Sequence, residues 1–180
     1  MKTTLYSRRK VLGSSASGAA AGLIAAGFAG VAARPASAAS KPKVSGVLTR
    51  EEYLKYVSLF NANDFKFLEY YHDDVVFELN GSTVIHKPQG IHDFYKEVKE
   101  HIKETVTVEQ FIADETGIAA ELPTEFRVIK DWENGFFKRP LKVGEVMRTV
   151  SFGLYEVQDR KFRRIRAARY KQIHDWRMEG

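Results

Sequence analysis

At Glu104 the hydrophobic repeat of this chain changes from helical spacing to strict alternation, and that change restricts the fold more than any other feature. Before it, Tyr53, Tyr56, Val57 and Phe60 fall at i, i+3, i+4 and i+7, and Ile91, Phe94, Tyr95, Val98 and Ile102 continue the same spacing further on. Such spacing lays one apolar stripe along a helix. After it, residues 105–113 carry Val106, Val108, Gln110 and Ile112 on one face. Residues 118–128 carry Ile118, Ala120, Leu122, Thr124, Phe126 and Val128, and residues 145–155 carry Val146, Arg148, Val150, Phe152 and Leu154. A period of two describes a strand with one buried face. Helices first and strands after make an α+β arrangement, in which the helices pack on the apolar side of a sheet.

Local signals fill in the elements. Thr49-Arg50-Glu51-Glu52 is a capping box that opens the first helix. Asp64 is placed to cap a short second helix over 65–71. Residues 75–79 and 82–86 read as a hairpin turning at Asn80-Gly81, and Pro88 opens a third helix. Pro123 inside an alternating run implies a bulge or an edge position. Residues 131–144, with Trp132, Phe136 and Phe137, form a connection long enough to serve as a lid. The last strand is expected over 162–173.

The front of the chain has a different composition. Ser7-Arg8-Arg9-Lys10-Val11-Leu12 carries a twin-arginine signal, residues 11–33 are a Gly/Ala-rich apolar run, and Ala36-Ser37-Ala38 is an A-x-A cleavage site. The expected organisation is a signal peptide over 1–38, a linker over 39–48 and a domain over 49–180. The alternative is an uncleaved anchor, because 11–33 is long enough to span a bilayer. Of 28 basic residues, five lie in 1–39 with no acid, which leaves 23 basic against 23 acidic residues and assigns the net +5 to the leader. The neutral remainder gives no support to nucleic-acid binding. There is no cysteine, which excludes disulfides, thiolate metal sites and a Cys nucleophile. The leader alone speaks for location: twin-arginine export to the periplasm or beyond, without stable membrane insertion after cleavage.

Four stretches follow one another in a familiar order: Phe60-Asn61-Ala62-Asn63-Asp64; Tyr70-Tyr71-His72-Asp73-Asp74-Val75-Val76-Phe77; Gly90-Ile91-His92-Asp93-Phe94-Tyr95; and Arg160-Lys161-Phe162 leading into Ile165-Arg166. Over roughly residues 49–172 the chain resembles the SnoaL-like, nuclear transport factor two-like superfamily. The resemblance implies a cone-shaped barrel: a curved, mostly antiparallel sheet wrapped on three N-terminal helices, with a pocket inside. That superfamily hosts isomerases, dehydratases, cyclases, epoxide hydrolases and non-catalytic binders, so the fold does not choose a reaction. In the ketosteroid isomerase type, a helix-one Tyr and a protonated Asp serve an Asp base. Tyr56 matches the Tyr, whereas Leu79 stands at the base position and Phe152 near the second Asp. The His positions of the scytalone dehydratase type fall near Gln110 and near Glu125 or Phe126. The last-strand Asp of the limonene epoxide hydrolase type falls near Ala167.

The remaining candidates are polar side chains on otherwise apolar faces. Tyr56 is either a pocket hydroxyl or a core aromatic, and His86, near the expected pocket mouth, is a possible proton acceptor; these two are the catalytic candidates. Gln110, Arg148, Phe152, Arg169 and Trp132 are the substrate-binding candidates. Gln110 bonds a ligand or the backbone, and Arg148 meets a ligand anion or an internal Glu. The family register turns Ile165, Ala167 and Arg169 toward the pocket. The basic last strand lacks interleaved aromatics before Tyr170 and fits pairing with Glu109, Glu121 and Glu125, or with a dimer mate, better than nucleic acid. The five histidines show no metal spacing, and there is no Gly-rich phosphate loop or Gly-x-Ser-x-Gly turn. The expectation is a homodimeric small-molecule-binding domain with no metal or cofactor, acting as a lyase, isomerase or cyclase on an apolar or aromatic oxygenated substrate. A ligand-binding module without turnover and a dimeric interaction domain are the alternatives.

Overall fold

A computed structural model describes residues 46–179. The expected signal peptide, and the expected linker up to residue 45, lie outside the described residues. Helix α1 spans Arg50–Asn61, a 3-10 helix Phe65–Tyr70, strand β1 Tyr71–Leu79 and β2 Thr83–His86. Helix α2 spans Lys87–His101, and the strands β3 Ile102–Val106, β4 Gln110–Asp114, β5 Gly117–Val128, β6 Glu145–Gln158 and β7 Lys161–Met178 come after it. The Thr49 hydroxyl accepts the Glu52 amide at 3.3 Å while the Glu52 carboxylate accepts the Thr49 amide at 2.8 Å, so the capping box is complete. Asp64 caps the second segment through the Lys66 amide at 2.9 Å. That segment is a 3-10 turn, so the three expected helices are two α-helices and one tighter turn.

The sheet runs β2-β1-β7-β6-β5-β3, with β4 also paired to β5, and curls into a half-barrel around the helices. Only the β1–β7 pairing is parallel among these. The inner core is strongly aromatic: Tyr53, Phe67 and Phe162 are fully buried, with Tyr56, Phe60, Tyr71, Tyr95 and Tyr155 around them.

Two expectations about strands change. Residues 105–113 form parts of two strands rather than one. The break lies beside Pro123, whose carbonyl accepts the Thr107 amide at 2.8 Å but which has no N–H to return. On β6 the expected inward face is the outward one: Met147, Thr149, Ser151 and Tyr155 meet the interior, while Phe152 and Leu154 are 43% and 46% exposed. The inner face carries Thr149, Ser151 and Gly153 between Met147 and Tyr155, so the more apolar face of β6 is the outer one and the pattern sets the period but points to the wrong phase.

The end of α1 anchors the neighbouring elements. The Asn61 side chain donates to the Val106 carbonyl at 2.8 Å and accepts the Val106 amide at 2.9 Å, acting as a piece of neighbouring strand. Lys99, near the end of α2, donates to the Phe60 carbonyl at 2.8 Å and to Asn63 Oδ1 at 2.9 Å, with its ammonium 3.8 Å from the Phe60 ring centre. These contacts tie β3 and α2 to one point and fix where the first residues of β3 stand.

Candidate active site

The helices and the 129–144 connection cover the hollow side of the sheet and leave a cavity of about 510 Å³. This is within the range of small-molecule sites. The connection is closed by paired backbone bonds between Trp132 and Leu141, at 3.0 and 2.9 Å, and it lays Phe136 and Phe137 on the cavity wall. Gly135 permits this shape, because a Cβ there would lie 2.1 Å from the Trp132 ring.

Of the two acids on the cavity wall, Glu104 and Asp175, Glu104 is the one drawn away from solvent. Ile102 and Val106 face inward on β3, and the pleat turns Glu104, between them, to the same side. Glu104 is half-buried, reached from the cavity, and its carboxylate has no hydrogen-bond partner among the described residues. Burial pushes its pKa up to about 7, with the Lys99 charge pulling the other way. Burial in turn lowers Lys99 to about 8, against the opposing pull of Glu104. A carboxylate held near neutrality, facing a cavity and free of structural bonds, is suited to accept a proton.

Tyrosines share the cavity wall with it. Tyr53 donates to the Tyr155 hydroxyl at 2.8 Å, and the Tyr56 and Tyr71 hydroxyls share a bond of 3.0 Å. Tyr53, Tyr56, Tyr95 and Tyr155 all line the cavity, and the Tyr95 hydroxyl has no partner among the described residues. Burial keeps the Tyr56 and Tyr95 hydroxyls protonated well above their usual range, and the Glu104 charge adds to this. Such hydroxyls donate hydrogen bonds without losing the proton. Gly153 is needed for the geometry: a Cβ there would come within 2.7 Å of the Tyr155 ring and 2.9 Å of its hydroxyl.

Of the seven residues singled out from the sequence, Tyr56 and Arg169 line the cavity and five do not. His86 is exposed at the N-cap of α2 and makes no side-chain cap bond. Gln110 is exposed on β4, because the strand break shifts it away from the Val106 face. Arg148 lies on the outer side of β6, bonded to Glu125 at 2.9 Å and to Glu179 at 2.7 and 2.8 Å. Phe152 packs on Tyr170 outside, with ring centres 4.7 Å apart, and Trp132 is buried in the connection, stacked on His101 at 4.8 Å. Sequence reasoning misses Glu104 because it stands where the periodicity changes. Extending the β3 alternation back from Val106 puts it on the inner face.

The sequence pattern of the SnoaL-like domain matches residues 53–165, more than half of the chain. The chain belongs to the SnoaL-like domain family. No curated protein matches it at a significant level. Solved structures share the SnoaL-like fold. An LEH-like epoxide hydrolase from M. tuberculosis is 14% identical, over 65% of this chain and 78% of that one, with a TM-score of 0.54. A candidate polyketide cyclase from Silicibacter sp. is 18% identical, over 65% and 85%, with a TM-score of 0.57. A candidate ketosteroid isomerase from Kribbella flavida is 19% identical, over 68% and 78%, with a TM-score of 0.51. At these identities the likeness is one of fold.

Proposed function

We propose that this SnoaL-like protein is a cofactor-independent isomerase or cyclase acting on an apolar or aromatic oxygenated substrate. In this reading Glu104 removes a proton from the carbon beside a carbonyl, and Tyr95 or Tyr56 donates a hydrogen bond to the enolate oxygen that results. The enolate then takes a proton back from Glu104 at another carbon, or its carbon attacks a second carbonyl of the same molecule, closing a ring and leaving an alkoxide that takes the proton from Glu104. The observation that carries this is the unpartnered Glu104 carboxylate, near pKa 7, on the wall of a tyrosine-lined cavity. The cyclase and isomerase designations of structural relatives agree with it. The test is deuterium uptake by 2-tetralone in D2O, followed by proton NMR. The protein is expected to accelerate exchange over buffer, with a rate that rises with pH to a midpoint of about 7. Binding of the ketone without any acceleration would favour a ligand-binding module instead.

We further propose that the protein works outside the cytoplasm, as a homodimer. Supporting export are the paired arginines Arg8 and Arg9 and the Ala36-Ser37-Ala38 site. Supporting a dimer is the exposed Phe152–Tyr170 pair on the outer sheet face. Mass spectrometry of exported protein is expected to show a chain starting at Ala39, and sedimentation to show twice its mass. A retained leader, or a monomer, counts against the corresponding part.

A further inference from the structure

The cavity wall has a second polar group of side chains, remote in sequence from Glu104. Across β6 and β7, Ser151 pairs with Arg169 and Thr149 with Gln172, and all four residues line the cavity. A bulge makes this possible. Val150 pairs with Lys171 and Ser151 with Arg169, so Tyr170 is left over and turns outward, 63% exposed. Arg169 and Gln172, three apart, thereby reach the cavity together, where simple alternation sends one of them outside. Asn80 holds the segment in place: its amide donates to the Ala167 carbonyl at 2.8 Å, and its Oδ1 accepts the Arg169 amide at 2.9 Å.

The charges at this wall are unevenly satisfied. Arg139, also on the wall, is bonded to Glu145 at 2.7 Å. On β7, Arg164, Arg166 and Arg177 pair with Glu78, Glu156 and Glu179. Arg169, exposed where it lines the cavity, has no carboxylate partner for its guanidinium among the described residues. The acids lining the cavity are Glu104 and Asp175, and Asp175 accepts the Trp176 amide at 2.9 Å. A planar guanidinium beside a hydroxyl matches the two oxygens of a carboxylate. Phe126, Phe137 and Trp176, packed on one another at 5.0 to 6.5 Å, supply ring surfaces for an aromatic body.

We propose that the β6–β7 wall is a carboxylate-binding subsite, with Arg169 and Ser151 at its centre, and that the substrate is an aromatic molecule bearing a carboxylate. This rests on the reading of the cavity as the substrate site. The carboxylate docks at Arg169, and the body lies along the rings with its reacting carbon toward Glu104.

Calorimetric titration with 2-naphthoate and its neutral methyl ester tests the subsite. The unaltered protein is expected to bind the carboxylate about tenfold more tightly than the ester, or better. Arg169→Leu is expected to erase that preference, and Arg169→Lys to keep part of it. Equal affinities in the unaltered protein, or a preference that survives Arg169→Leu, overturns the subsite while the cavity reading stands. Binding of neither probe overturns both.

Discussion

Glu104→Gln is expected to slow deuterium uptake by 2-tetralone by about a hundredfold or more, the usual worth of a positioned base. Gln has nearly the same shape and cannot accept the proton, so the cavity keeps its form and loses only the chemistry. The same substitution has an opposite effect on stability. Folding raises the Glu104 pKa from 4.5 to about 7, so the native state holds a proton that the unfolded chain has released. Stability therefore falls as pH rises from 4.5 to 7, and the whole cost is present above 7. At about 1.4 kcal/mol per pH unit the cost has an upper bound of roughly 3 kcal/mol. Removing the charge also deprives Lys99 of its partner, which trims the gain. Urea denaturation is thus expected to show Glu104→Gln more stable by about 1–3 kcal/mol at about pH 8 and unchanged at about pH 4. A variant that retains exchange, or is less stable at the higher pH, contradicts the assignment.

Phe162→Ala is expected to destabilise the fold by about 3–5 kcal/mol, the range for deleting a buried phenyl ring. Phe162 is fully buried and its ring lies 5.0 Å from Tyr56, 4.9 Å from Tyr155, 6.0 Å from Tyr71 and 6.3 Å from Tyr53. Its backbone also pairs with Tyr71 where β7 meets β1 in parallel. The ring therefore supports both hydroxyl pairs from behind. Phe162→Leu, which leaves most of the volume, is expected to cost less, about 1–2 kcal/mol. Equal losses for the two variants in urea titrations would mean that the ring does not act as the packing centre.

Much of the fold is legible in the sequence because its signals are local. The Thr49–Glu52 box, the Asp64 cap and the Ile118–Val128 alternation each depend on neighbours a few residues away, and each stands in the structure as expected. The site is less legible because it depends on phase and on distant contacts. On β6 alternation alone favours the Arg148 face over the Met147 face, and the pairing of Arg148 with Glu125 and Glu179 holds that face outside. Arg169 and Gln172 share the cavity only through a bulge at Tyr170. Glu104 is set by the Asn61 clamp on Val106, a contact across 45 residues that no local pattern announces. Asn61 both ends a helix and fixes the strand that carries Glu104.

The most direct measurement is the titration of the Glu104 side-chain carboxyl itself, by carbon-13 NMR in the unaltered protein and in Lys99→Met. A midpoint near 7 that moves higher when the Lys99 charge is removed is the expected result. A midpoint at the ordinary carboxylate value of 4.5, unmoved by Lys99→Met, would contradict the assignment of this cavity as a site of proton transfer.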